Sequence, residues 1–199
     1  MISIINSGYG NFRSIYNIVS KLNLKPELTN SYDVISKSNY IILPGVGSFD
    51  KCINSLRDLK IDQAIFNALE NGSKLLGICV GMQILFNNSE EGSEKGLSLI
   101  SGNVVKFNLN KLPVPHMGWN IVTEKKQNNI FSKRKYERFY FAHSYHCVCS
   151  EDQNIITTTN YGFDFHSCVK KNNIYGFQFH PEKSHIYGRE ALFNFLTKC

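Results

Sequence analysis

Residues 75–86 read LLGICVGMQILF. An apolar run, Leu75 to Ile78, leads into Cys79, which sits between Gly77 and Gly81. A helical pattern then starts over Gly81 to Phe86. A buried strand turning sharply into a helix satisfies both periodicities. G-x-C-x-G has the shape of a nucleophile elbow. Glycine neighbours let such a turn close without a Cβ clash. The turn lifts the thiol into the crevice beyond the strand ends, where α/β sheets hold ligands. Helix N–H groups aimed at a sulfur favour its thiolate, the nucleophilic form. A buried cysteine in a glycine-rich turn is the simpler alternative.

Working outward, ISII at residues 2–5 and YIIL at 40–43 are two further apolar runs, the second closed by Pro44-Gly45. Helical patterns fill Asn11 to Leu22, 48–58 and 61–70. Strands alternating with helices predict a parallel sheet with helices on both faces. After residue 96 the texture becomes β-rich and partly antiparallel. Strands are expected at Val104 to Phe107, Trp119 to Thr123, Phe139 to Cys149, Ile155 to Thr159 and Asn173 to Phe179. A last helix, about Ile186 to Leu196, carries Leu192, Phe193 and Leu196 on its apolar face. With 199 residues and no linker or repeat, residues 1–199 read as one α/β domain.

The formal charge of +6 is modest. Lys125, Lys126, Lys133, Arg134, Lys135 and Arg138 cluster in one region, which reads as a solvated face. No nucleic-acid-binding pattern accompanies them, so nucleic acid is not an expected partner. No stretch approaches the length of a membrane span, and the N-terminus does not read as a signal peptide. A cytoplasmic protein is expected, whose six cysteines are thiols rather than bridges. Cys147-Val148-Cys149 has no second pair to make a metal site. No metal and no organic cofactor is expected.

A cysteine nucleophile needs a base. GFQFHPE, residues 176–182, supplies His180 at the end of an apolar strand, with Glu182 two residues on. In an extended segment those side chains share a side, so Glu182 can fix the tautomer of His180 and stabilise its imidazolium. An oxyanion also needs donors. Gly45-Val46-Gly47 after a strand can offer backbone N–H groups, and the elbow adds that of Val80.

PGVGSF, GICVGMQ and FQFHPEKS, in this order, resemble the class I (triad) glutamine amidotransferases. That resemblance implies a flavodoxin-like fold of the class I type, with a central, mostly parallel sheet flanked by helices and an added antiparallel β portion in the C-terminal half. It implies Cys79 as nucleophile, forming a glutamyl thioester and releasing ammonia from L-glutamine, with His180 as base and Glu182 as orienter. It places the oxyanion loop at Gly45, Val46 and Gly47, and the glutamine contacts at Gln83, His143, Ser144 and Tyr145. YGNFRSI, PHMGWN, FYFAHSYH and HPEKS are more finely similar to the glutaminase subunits of imidazole glycerol phosphate synthases, over essentially the whole chain. The implied partner is a (β/α)8-barrel cyclase, HisF, in a heterodimer, making imidazole glycerol phosphate and AICAR for histidine biosynthesis. Asn11, Trp119, Tyr140 and Lys183 are then expected at the docking surface. One departure is Asn6-Ser7 where such chains often carry Asp-Tyr. Two alternatives stay open: a paralogous glutaminase feeding a sugar amidination synthase, and a stand-alone cysteine hydrolase of the same fold.

Overall fold

A computed structural model of the chain describes residues 1–131 and 137–199. Lys133, Arg134 and Lys135 of the basic cluster lie outside the described residues. The elements in chain order are β1 (Ile2–Ile5), α1 (Phe12–Lys21), β2 (Pro26–Thr29), α2 (Tyr32–Ser36), β3 (Tyr40–Gly45), α3 (Phe49–Asp58), α4 (Ile61–Glu70), β4 (Lys74–Cys79) and α5 (Val80–Gln83). There follow β5 (Asn88–Ser89), β6 (Gly102–Lys106), β7 (His116–Glu124), β8 (Glu137–His143), β9 (Tyr145–Cys149), β10 (Ile155–Asn160), β11 (Asp164–Lys171), β12 (Ile174–Phe177) and α6 (His185–Lys198).

Among the described residues, nine strands form one sheet in the order β2-β1-β3-β4-β12-β11-β10-β7-β8. From β2 to β12 neighbours run parallel. From β12 to β8 they run antiparallel. β5, β6 and β9 make a second, three-stranded sheet. The central parallel strands are buried on both faces, which is why they read as unbroken apolar runs. The chain winds outward in both directions from β1, and α1 packs on α6 while α2 and α3 pack on α4. Ligand crevices in such sheets open at the carboxyl ends of the strands, where β3 ends at Gly45 beside Cys79 of β4.

Several expectations need correction. Phe139 to Cys149 is two strands, not one: β8 ends the large sheet, and at Ser144 the chain crosses into β9 of the small one. The helix expected over Gly81 to Phe86 is the single turn α5, because Leu85 and Phe86 leave it to fill the core. Phe193 is exposed while Leu192 and Leu196 are buried, so the inward stripe of α6 is narrower than expected. β2, α2, β5 and β11 were not anticipated. β2 begins at Pro26, which an edge strand tolerates.

Candidate active site

The elbow is built by close backbone packing. Cys79 takes φ +56° and ψ −112°, a conformation non-glycine residues rarely adopt. A Cβ on Gly77 would collide with the carbonyl oxygen of Gly81, and one on Gly81 would collide with that of Leu43. Strain of this kind persists only where the surroundings over-determine it. Cys79 is 4% exposed, at the floor of a cavity of about 620 Å³.

His180 and Glu182 stand on the same cavity. Nδ1 of His180 is 3.0 Å from Glu182 Oε1. The pair is closed by a 3₁₀ turn over Pro181–Lys183 rather than by the extended segment expected. Nδ1–H donates to the carboxylate, so Nε2 is the nitrogen left to meet the Cys79 sulfur. Burial opposes protonation of His180, but the adjacent Cys79 sulfur and the Glu182 carboxylate outweigh it and raise its pKa to about 10. The imidazolium is therefore the resting form at neutral pH.

Glu182 has a second partner. Asn11, expected on the docking surface, lines the cavity and donates from Nδ2 to Glu182 Oε1 at 3.3 Å. The other carboxylate oxygen, Oε2, is buried without a hydrogen bond among the described residues.

Val46, Gly47 and Val80 line the cavity, as do Gln83, His143, Ser144 and Tyr145. Gly45 does not. It lies beneath the elbow, where a Cβ would collide with the Gly81 nitrogen, so its place there is packing rather than lining. Gln83 donates from Nε2 to the Tyr145 carbonyl at 3.0 Å and to Gln178 Oε1 at 3.2 Å. With its nitrogen engaged, Gln83 has its carbonyl oxygen to offer a ligand.

Two residues went unremarked in the sequence. Glu91 faces the cavity from the loop before β6 and accepts the Phe49 N–H at 2.8 Å. Burial raises its pKa, the Phe49 N–H works against that, and Asp50 adds repulsion. Gln178 is fully buried and points Nε2 at Cys79 Sγ, 3.9 Å away. A glutamine inside the apolar run FQF was the available signal for it. Glu91, one acid among several in SEEGSE, had none.

Trp119 and Tyr140 lie off the cavity as register partners on β7 and β8. Their rings meet edge-on at 6.2 Å. Lys183, which also lines the cavity, sets Nζ 5.3 Å over the Tyr140 ring. His185 stacks on Trp119 at 5.2 Å with the planes 6° apart. Trp119 remains 45% exposed, beside exposed Met117 and Ile121 on the same face of β7. No helix among the described residues is long and apolar enough to cross a membrane.

Known proteins place this geometry in context. The family model for class-I glutamine amidotransferases matches residues 3–199. A HisH subunit of imidazole glycerol phosphate synthase (HisH 2) from Methanococcus maripaludis is 46% identical, with all of both chains covered. The corresponding HisH subunit from Leptospira borgpetersenii is 41% identical over 99% of this chain and 100% of its own. In backbone shape the chain is similar to the structure of PurLQS from Thermotoga maritima, with a TM-score of 0.77 at 21% identity, over 98% of this chain and 96% of that one. The chain belongs to the class-I glutamine amidotransferases, among the HisH subunits of imidazole glycerol phosphate synthase.

Proposed function

We propose that the chain hydrolyses L-glutamine to L-glutamate and ammonia and hands the ammonia to a (β/α)8-barrel cyclase, HisF, in a cytoplasmic heterodimer. The observation that carries the chemistry is the alignment of Cys79, His180 and Glu182 on one cavity. The Cys79 thiolate attacks the side-chain carbonyl of glutamine. The N–H groups of Val80 and of the Val46-Gly47 turn, which line the same cavity, are the donors for the oxygen that becomes negative. His180 gives its proton to the departing nitrogen, which leaves as ammonia, and a glutamyl thioester remains. His180, now neutral, takes a proton from water as the water attacks the thioester. Glutamate departs and the thiolate–imidazolium pair is restored.

Glu91 is the carboxylate suited to the substrate's α-ammonium group, while the Ser144–Tyr145 segment borders the space for the rest of its amino-acid end. The exposed cluster around Trp119 is suited to the cyclase. Ammonia would there complete imidazole glycerol phosphate and AICAR.

Diazo-oxo-norleucine, a glutamine-shaped electrophile, tests the chemistry. One adduct on Cys79, found by peptide mass, is expected in the unaltered protein and none in Cys79→Ala. An adduct on another cysteine, with glutamate release surviving in Cys79→Ala, would overturn the assignment.

A further inference from the structure

Behind the Ser144–Tyr145 wall of the cavity runs a string of hydrogen bonds that the thioester chemistry does not itself require. Asn120 Nδ2, on β7, is 3.3 Å from His116 Nε2. His116 Nδ1 is 3.1 Å from His143 Nε2. His143 Nδ1 is 2.8 Å from the carbonyl oxygen of Tyr145. That oxygen is the one that also accepts Gln83 Nε2.

Chemistry fixes the direction of the string. A carbonyl only accepts, so His143 carries its proton on Nδ1. Both rings are buried, and burial lowers the pKa of His143 to about 3 and that of His116 to about 4. Each is neutral at physiological pH and carries one proton. His143 Nε2 is then bare and must accept, so His116 carries its proton on Nδ1. His116 Nε2 is bare in turn and accepts from the Asn120 amide. One tautomer per ring satisfies all three contacts. It is the less favoured tautomer of imidazole in water, so the surroundings must hold it.

We infer that His116 and His143 are positioning residues for the substrate site: a relay of fixed tautomers, running from Asn120, holds the Tyr145 carbonyl and through it the Gln83 amide. What the wall binds rests on the glutaminase reading; the relay does not. Ser144 is where the chain leaves the large sheet for the small one, and the Phe107 N–H, just past β6, donates to its carbonyl at 3.0 Å. Side chains hold the junction as well. His116 is sandwiched between Phe141 at 5.0 Å and Tyr161 at 4.0 Å, and Phe107 packs on His143 at 5.2 Å. These contacts oppose rotation of either ring. The outer end of the relay adjoins Trp119, so it lies on the strand that bears the exposed aromatic cluster.

The first test is spectroscopic and needs no turnover. Long-range 1H–15N correlation on the 15N-labelled full chain should show Nδ1–H tautomers for both His116 and His143. An Nε2–H tautomer at either ring overturns the relay. The second test is kinetic, in the complex with the cyclase. His116→Phe keeps the aromatic stack but leaves His143 Nε2 a buried acceptor without a donor. Loss of one such bond should raise the KM for glutamine about tenfold, with kcat changed by less than about threefold. His116→Asn, whose amide can donate from near the Nδ1 position, should recover most of that loss. Were both core variants to fail to fold, Asn120→Asp removes the outer donor at a half-buried site. It should draw the His116 proton to Nε2 in the spectrum and raise KM in the same direction. A switched tautomer with an unchanged KM would overturn the positioning role. No glutamate release from the unaltered complex would sink the glutaminase reading instead, leaving the relay to stand or fall on its tautomers.

Discussion

The N–H of His180 donates to the carbonyl of Tyr140 at 2.8 Å. Ser184 closes the same junction: its hydroxyl accepts the Tyr140 N–H at 2.9 Å and donates to the His180 carbonyl at 2.6 Å. Strand β8, whose Tyr140 meets Trp119 of the exposed cluster edge-on, is thus stitched to the turn that carries the base. A load on Trp119 and Tyr140 is one residue contact away from the imidazole. Five measurable consequences follow from the site as built, the last of them on the complete reaction.

His180 should stay protonated up to about pH 10. Burial works against the charge, and the adjacent Cys79 sulfur and Glu182 carboxylate hold it in place. Removing the sulfur in Cys79→Ala deletes the largest favourable influence, so the His180 pKa should fall and the imidazole should titrate at lower pH. NMR titration of the His180 ring reads this directly. An unchanged midpoint in Cys79→Ala would show that the two groups do not interact.

Asn11 should matter to turnover more than to binding. Its amide donates to a buried carboxylate, and hydrogen bonds to charged groups contribute about 1.5–3 kcal/mol. Asn11→Ala should lower kcat by roughly tenfold or more with little change in KM. Asn11→Asp, which sets a second negative charge against Glu182, should cost more. Steady-state glutamate release separates the two.

Gly81→Ala should damage the elbow. The added methyl would collide with the Leu43 carbonyl oxygen, and overpacking of this kind typically costs about 1–3 kcal/mol. Denaturant unfolding should show that loss, with Cys79 labelled more slowly by the glutamine analogue. Full stability would mean that β3 and the elbow can part without cost.

Trp119→Ala should weaken the complex while sparing the chemistry of the isolated chain. A buried aromatic anchor at an interface carries about 2 kcal/mol or more, so binding of the cyclase should fall roughly 30-fold by calorimetry. Diazo-oxo-norleucine labelling of Cys79 should proceed at the unaltered rate. An unchanged affinity would move the docking surface elsewhere.

The parallel half of the fold was legible because ISII, YIIL and LLGI are buried on both faces and read as apolar runs. The break at Ser144 was not. Apolar residues continue across it from Phe139 to Cys149, and local pattern cannot register a change of sheet. Cys79, His180 and Glu182 were found through their local glycine and proline contexts. Asn11 and Glu91 reach the site through tertiary packing alone, 68 residues before and 12 residues after Cys79 in the chain. His116 has no carboxylate near it in sequence to mark it, yet the antiparallel register places it opposite His143.

The most direct measurement is glutamate release from glutamine by the chain alone and with the HisF cyclase holding its nucleotide ligand. Turnover that rises strongly in the complex and vanishes in Cys79→Ala is the predicted result. Turnover indifferent to the cyclase, or retained in Cys79→Ala, would contradict it.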